Sequence, residues 1–277
     1  MTIVVAWVRK IRQVEELVFV SDSRLRGGYC WDECPKLTTL PGKTGVFAFA
    51  GDTSYAYPIM LQARQAMTDY TRIETRAMDI SHINGRILRL VNGLVDSVYD
   101  LVASECKTDN EFIFGGYSWI SKEFKIWRYY YNATLKMFEK DRQIMKTLPY
   151  VKNTYVIIGD QKEEFKKRLK TKLIDKYGSN YNIDEEIYLD MEPFEVICDM
   201  LRESSKADSI GGAPQMIKSY QYMNCRPIGI YWPKKTDTLS NRTLLGRQLS
   251  KDEGKEYWFM DPETCVTNPC YIDDIDN

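Results

Sequence analysis

A single histidine, His82, limits the catalytic devices open to this chain of 277 residues. A serine or cysteine nucleophile activated by histidine would have to use it. His82 lies between Ser81 and Ile83, at a predicted break between two helices, and no G-x-S-x-G nucleophile motif occurs elsewhere. We therefore interpret His82 as an ordinary surface or boundary residue. One histidine also cannot build a histidine-rich metal centre.

A threonine at the start of the sequence offers a different device. The sequence begins Met1-Thr2, and threonine is small enough that the initiator methionine is normally removed ahead of it. The new α-amino group has an unperturbed pKa of about 7.7–8.0, which leaves a neutral fraction at pH 7. Base and hydroxyl nucleophile would then belong to one residue. Because many proteins begin with this dipeptide, other features must support Thr2 as the nucleophile.

The cysteines and glycines indicate no cofactor. Seven cysteines is an odd number, and they are scattered along the chain. Cys30 with Cys34, and Cys265 with Cys270, could be imagined as zinc ligands, but their spacings are loose and no histidine lies near either pair. Reduced, mostly buried thiols are the interpretation that we favour. The chain also lacks a phosphate-binding loop and a G-x-G-x-x-G turn, so we predict neither metal nor cofactor.

Composition excludes several classes of partner. The formal net charge is -1, so electrostatics gives no reason to expect binding to nucleic acid or to an anionic membrane. No run approaches the roughly 20 apolar residues that a membrane-spanning helix needs. The apolar run Ile3–Val8 is followed, rather than preceded, by positive charges, which is the reverse of a secretory signal. We expect a cytoplasmic protein.

Strands are predicted around the candidate nucleophile. The apolar runs at 3–8 and 17–20 form a pair, which we predict to be a hairpin joined by an extended polar loop at 9–16. Further strands are expected at 36–40 and 46–50. A second sheet is expected from 110–117, 125–131 and 136–139, and closing strands are expected at 213–220 and 227–232.

The remaining segments show the periodicity of amphipathic helices. Apolar residues recur at three- and four-residue steps from Tyr55 to about Ala103, which predicts two amphipathic helices with a break near 80–84. Two more helices are predicted at 162–176 and 192–205, separated by a polar stretch at 177–190. The order strands, two helices, strands, two helices, strands suggests a layered α+β or α/β/α sandwich.

Six short motifs in order resemble proteasome β-subunits. Taken singly, each is typical of an ordinary turn or edge strand. Jointly and in this order they favour the family, most closely its bacterial members, which include the ancestral β-subunit. The matching segments span Thr2 to about Trp232 and are Val18–Arg24, Pro35–Leu37, Phe47–Thr53, Phe114–Tyr117, Ile157–Asp160 and Asp208–Gly212. The resemblance implies an α+β fold, a four-layer αββα sandwich of two antiparallel sheets, and N-terminal-nucleophile hydrolase chemistry.

The resemblance also implies roles for individual residues. Lys36 would lie beside the Thr2 hydroxyl, and its charge would favour alkoxide character. Asp22 would hold Lys36 in place and keep it charged. The Gly51 N–H would face the developing oxyanion, a contribution of about 3–4 kcal/mol in comparable sites. Asp208 and Ser209 would hydrogen-bond around the amino group.

Four further positions match residues that line the specificity pocket in proteasome subunits. They are Leu25, Cys34, Phe49 and Thr53. A pocket built from these side chains would be mostly apolar. The resemblance therefore implies a preference for hydrophobic residues before the scissile bond.

The sequence departs from the family's pattern at three places. The connector after the first strand is about four residues longer than usual, so a one-residue shift that aligns Met1 with the nucleophile stays open. The Asp208 segment has one residue fewer than the family between the aspartate and the double glycine, and no serine stands immediately before the glycines. A displacement of either Asp208 or Ser209 from its catalytic counterpart therefore stays open. The chain also carries the 177–190 insert and a C-terminal extension. We assign residues 1–247 to a single domain and residues 248–277 to that extension.

Three functions remain open. The first is a threonine peptidase that cleaves peptides or proteins inside a self-assembled ring or stack of identical subunits. The second is a related amidase that acts on a small amide without a chamber. The third is a non-catalytic subunit that keeps the fold for assembly. None of the three requires a cofactor, and no feature marks a docking surface for an ATPase, so that partner is left open.

Overall fold

The computed structural model describes most of the chain. It covers residues 2–26, 29–98, 109–141, 155–178, 188–222, 224–235, 241–250, 253 and 257–269. The described strands are β1 (Ile3–Ile11), β2 (Val14–Ser21), β3 (Leu25–Arg26), β4 (Cys30–Trp31), β5 (Leu37–Thr39), β6 (Val46–Ala50), β7 (Glu111–Ser118), β8 (Glu123–Asn132), β9 (Met137–Asp141), β10 (Tyr155–Gly159), β11 (Gln215–Tyr220), β12 (Asn224–Tyr231), β13 (Arg242–Leu244), β14 (Arg247–Gln248), β15 (Trp258–Met260) and β16 (Thr267–Pro269). The helices are α1 (Thr53–Thr68), α2 (Thr71–Glu74), α3 (Ile80–Asp96), α4 (Lys162–Tyr177) and α5 (Glu192–Glu203).

Strands β1 and β2 form a continuous hairpin, and the predicted polar loop at 9–16 is wrong. The ladder runs through the charged stretch, with Arg9 opposite Glu16 and Lys10 opposite Glu15. Only two residues join the strands, and the first of them, Arg12, has a φ of 57°. Opposite charges across the strands favour the ladder, and these charges concealed the strand pattern in the sequence.

The first sheet holds the N-terminal strand between β10, at one edge, and β2. Its order is β10-β1-β2-β11-β12-β13-β14, and β15 and β16 join it through β12. In β1, Ile3 lies opposite Gly159 of β10, and Val4 lies opposite Ser21 of β2. Strand β10 was missed as a strand in the sequence, although its last residues belong to one of the six motifs. This pairing brings residues near 160 beside residue 2.

The second sheet is an antiparallel meander. Its order is β5-β6-β7-β8-β9. The Phe47 ring stacks on Phe112, with ring centroids 5.4 Å apart, and Phe114 stacks on Trp127 at 5.9 Å. The predicted strands at 110–117, 125–131 and 136–139 are confirmed with small shifts of their ends.

The break between the first two long helices lies earlier than predicted. Helix α3 begins at Ile80, so the predicted break near 80–84 is wrong, and exposed His82 lies in its first turn. The Asp79 side chain accepts a hydrogen bond from Ser81 N, which caps the helix. Asn84 resembled a break residue, but it is buried and accepts a hydrogen bond from the Tyr129 hydroxyl at 2.7 Å. The predicted helical pattern beyond Val98 lies outside the described residues.

Three hydrophobic clusters hold these elements together. One joins β1, β2 and β10 to helices α4 and α5. A second joins the meander to α1 and α3. The third lies where the two sheets face each other and includes Ala6, Phe19, Ala48 and Ile113. The chain is thus a mixed α/β protein built on antiparallel sheets. No described helix has the length and apolar character needed to cross a bilayer.

The C-terminal segment packs on the first sheet. Strand β15 runs parallel to β12, with Gly229 opposite Phe259. The Phe259 and Met260 side chains are buried. Part of the predicted extension at 248–277 therefore supplies strands to this sheet. Most of the 177–190 insert and the acidic end of the chain lie outside the described residues.

Candidate active site

The carboxylate of Asp22 is the centre of a buried polar cluster. One oxygen, Oδ1, accepts a hydrogen bond from Lys36 Nζ at 2.7 Å and another from Ile3 N at 3.2 Å. The other oxygen, Oδ2, accepts from Arg24 N at 3.1 Å and from Gly211 N at 3.2 Å. Asp22 lies directly after β2, where the ladder to β1 ends. These four bonds hold the carboxylate in a position closed to solvent.

Lys36 enters the cluster from the residue before β5. Its side chain is fully buried, as is that of Asp22. Burial lowers the pKa of Lys36 below its usual value, and the charges of Asp22 and Asp160 oppose that shift. The Lys36 main-chain N donates to Gln215 Oε1 at 2.9 Å, which fixes the entry to the strand. The resemblance to proteasome β-subunits implied that Asp22 would hold Lys36, and the catalytic role of the pair stays a prediction.

Thr2 lies beside this pair. Its N–H donates to Asp160 Oδ1 at 2.7 Å, and its carbonyl oxygen accepts from Asp160 N at 3.2 Å. The next residue, Ile3, binds the same Asp22 oxygen as Lys36. The strand register therefore places residue 2 next to Asp22 and Lys36. Met1 lies outside the described residues.

Gly51 directly follows β6, at a place that favours glycine. Its φ is +125°, in the region that favours glycine. A Cβ there would lie 2.5 Å from Asp109 O and 2.6 Å from Asn110 Oδ1. The chain then enters α1, where Asp52 Oδ1 accepts from Ser54 N at 2.8 Å. The role of the Gly51 N–H toward an oxyanion stays a prediction.

The Asp208 segment separates its two candidate residues. Ser209 is nearly buried, and its Oγ accepts a hydrogen bond at 3.0 Å from Gln161, the neighbour of Asp160. The Asp208 side chain is instead exposed and accepts from Ser205 N, a bond that lowers the pKa of Asp208. The structure thus brings Ser209 toward the cluster and leaves Asp208 at the surface, where it closes a turn.

Three of the four predicted pocket residues pack in one hydrophobic cluster. Leu25, Cys34 and Phe49 belong to the cluster between the meander and α1. The Phe49 ring contacts the Tyr57 ring at 5.0 Å between centroids. Burial raises the pKa of the Cys34 thiol to about 11, so this thiol stays protonated at pH 7. Thr53 is half-buried at the start of α1.

Two residues of the cluster were missed as functional residues in the sequence. Asp160 belongs to a quoted motif, but its place beside Thr2 depends on the pairing of β10 with β1. No motif or pattern in the sequence marked Gln215 as a site residue. Its Nε2 donates to Asp22 O at 3.1 Å and to Cys34 O at 2.7 Å, so one amide connects three segments of the site.

No group of three or more His, Cys, Asp or Glu side chains suited to a metal ion occurs within the part of the chain described above. Of the cysteines imagined as zinc ligands, Cys30 is exposed and Cys34 is buried.

Comparison with known proteins identifies the fold of the chain. No protein-family model matches the sequence, and no curated protein matches it. Among solved structures, the chain is similar to Anbu (ancestral beta-subunit) from Yersinia bercovieri, with a TM-score of 0.51 and 16% sequence identity. The match covers 82% of this chain and 86% of that one. At this identity the likeness concerns the fold alone and selects no subfamily. The chain has a proteasome-like fold.

Proposed function

We propose that the chain is a threonine-type peptidase of the N-terminal-nucleophile class, with Thr2 as the nucleophile once Met1 is removed. One observation carries the proposal. A single oxygen of buried Asp22 binds both Lys36 Nζ and the main-chain N of Ile3, the residue after Thr2. A buried cation is thereby held next to the residue that would become the N terminus.

The proposed chemistry runs in two steps. The α-amino group of Thr2 takes the hydroxyl proton as Oγ1 attacks the carbonyl carbon of the substrate amide. That proton passes to the leaving amine when the C–N bond breaks, and an ester remains on Thr2. Water, activated by the same amine, then hydrolyses the ester. Lys36 stabilises negative charge on Oγ1, Asp22 keeps Lys36 charged, and Gly51 N–H binds the oxyanion. Ser209 hydrogen-bonds around the amine and helps to position it.

Peptides with a hydrophobic residue before the scissile bond are the proposed substrates. The clustering of Leu25, Cys34 and Phe49 supports an apolar pocket wall, with Thr53 at its edge. Cleavage of a peptide library is expected to favour apolar residues at that position. A strong preference for basic or acidic residues would contradict the pocket assignment.

We also propose the four-layer αββα sandwich and a homo-oligomer. The three hydrophobic clusters support the layers, because two join helices to a sheet and one joins sheet to sheet.

Two observations support the homo-oligomer. The similar solved structure is described as a β-subunit. Exposed apolar side chains such as Leu61, Ile120 and Trp119 are available for contacts between copies. Light scattering is expected to show an assembly, and a monomer at all concentrations would contradict it.

Intact mass and two substitutions test the function. The purified protein is expected to lack Met1. Thr2→Ala removes the hydroxyl and should abolish peptide hydrolysis. Thr2→Ser keeps a hydroxyl at the same atom and should retain part of the activity, which makes it the matched control. Soluble protein that keeps Met1, or full activity in Thr2→Ala, would overturn the proposal in favour of a non-catalytic subunit or a different site.

A further inference from the structure

Asp160 binds the main chain of Thr2 at two points. Its Oδ1 lies 2.7 Å from Thr2 N, and its own N–H donates to Thr2 O at 3.2 Å. The preceding residue, Gly159, permits this approach. It has a φ of +108°, and a Cβ there would lie 1.9 Å from Thr2 O. Two backbone constraints therefore keep this carboxylate at the nitrogen of residue 2.

The two partners differ in exposure. Thr2 is fully buried, whereas Asp160 is exposed. The hydrogen bond thus joins a buried residue to an exposed one. In the full-length chain Thr2 N is an amide with one hydrogen. Removal of Met1 would turn it into an ammonium group, and a charge-assisted hydrogen bond to the same Oδ1 is stronger than a neutral one.

Four further charged groups lie on the elements around the Thr2–Asp160 contact. Lys36 approaches from the β5 side and Asp22 from the end of β2, and they pair with each other at 2.7 Å. Glu111, at the start of β7, accepts from Gly159 N at 3.3 Å. Arg128 of β8 pairs with Glu111 and so offsets its charge. Asp160 itself accepts a hydrogen bond from Thr2 N directly.

We propose that Asp160 is a positioning residue that holds the α-ammonium group of mature Thr2 as an ion pair. This inference rests on the proposed function, because it needs the same mature N terminus. It adds that the amine acts as a base only after it leaves this ion pair in its neutral form. A neighbouring carboxylate favours the ammonium form, whereas Lys36 favours the neutral amine. Asp160 therefore moves the onset of activity toward higher pH.

Titration of the α-amino group tests the proposal without any need for hydrolysis. We choose the Thr2→Ala background, because it removes the competing hydroxyl and still permits removal of Met1. The extent of N-terminal acylation by pulses of acetic anhydride is measured against pH by mass spectrometry. Adding Asp160→Asn should move the midpoint down by about one pH unit. Asp160→Ser, a second variant without the charge, should move it in the same direction.

Glu163→Gln is the matched control, because it removes an exposed carboxylate three residues away that pairs with Lys166. Its midpoint should stay within about 0.2 unit of the parent, since solvent and salt screen exposed charges. An unshifted midpoint in both Asp160 variants would overturn this inference alone. Retention of Met1 on wild-type protein would overturn it together with the proposed function. A shifted midpoint in a protein without peptidase activity would support this inference and contradict only the proposed function.

Discussion

Two buried lysine–carboxylate pairs lie at opposite ends of strand β2. At one end, Asp22 pairs with Lys36 at 2.7 Å, and both side chains are closed to solvent. At the other end, Glu16 pairs with Lys218 at 3.0 Å, with 7% and 5% of their side chains exposed. The residue types, distances and burial are nearly the same, yet only one pair belongs to the candidate site.

The difference lies in what else each carboxylate binds. Glu16 accepts from a second cation, Arg9, at 3.1 Å, so its pair is part of an ion network across the ladder. Asp22 instead accepts from three main-chain N–H groups, which belong to Ile3, Arg24 and Gly211. These groups fix the carboxylate relative to the backbone beside Thr2. Both pairs carry opposite charges, and the backbone hydrogen bonds of Asp22 distinguish the candidate site from the second pair.

The largest expected effect is the loss of stability and activity when the Lys36–Asp22 pair is broken. Lys36→Met leaves Asp22 buried without its cation, which should cost about 3–5 kcal/mol of the free energy of unfolding. It should also reduce peptide hydrolysis by about 10²- to 10⁴-fold, because the charge beside the nucleophile is lost. Urea denaturation and a fluorogenic peptide assay measure the two quantities.

Lys218→Met is the matched control, since Arg9 still pairs with Glu16. It should cost about 1–2 kcal/mol of stability and leave hydrolysis nearly unchanged. Equal loss of activity in the two variants would show that Lys36 acts only through stability, and the comparison between the two pairs would fail.

A smaller effect is expected where the backbone approaches Thr2. Gly159→Ala places a Cβ against Thr2 O in a backbone conformation that alanine rarely adopts. The strain should cost about 1–3 kcal/mol. Displacement of Thr2 by even about 1 Å should reduce hydrolysis by about 10²-fold. Denaturation midpoints and the peptide assay again provide the measurements.

Gly85→Ala serves as its control. Gly85 lies in α3, and a Cβ there meets nothing within 4 Å. Alanine favours a helix over glycine, so stability should rise by about 0.5–1 kcal/mol with activity unchanged. If Gly159→Ala behaves like this control, the close contact between Gly159 and Thr2 contributes neither to stability nor to hydrolysis.

The sequence predicted the parts of the site that lie close to strong local patterns. The resemblance to proteasome β-subunits pointed to Asp22, Lys36 and Gly51, and the apolar runs near them predicted the strands β2, β5 and β6. The same reasoning failed for the β1–β2 turn, because charged residues that pair across a ladder resemble a polar loop. It failed for the start of α3, because buried Asn84 has the polarity of a break residue.

The remaining parts depend on contacts between distant segments. Asp160 lies 158 positions from Thr2, and only the antiparallel pairing of β10 with β1 brings them together. Gln215 reaches Asp22, Cys34 and Lys36 from a strand far along the chain. Asp208 shows the reverse case, since a nearby Ser205 N–H holds its side chain at the surface. Local sequence patterns carry no information about the long-range contacts of Asp160 and Gln215.

The most direct test of the central claim is covalent labelling of the mature N terminus. Wild-type protein treated with a β-lactone probe and then mapped by peptide mass spectrometry should carry one adduct per chain. The adduct should lie on a peptide that begins at Thr2, and Thr2→Ala should remain unlabelled. An adduct on another residue, or an unlabelled chain that still carries Met1, would contradict the assignment of Thr2 as the nucleophile.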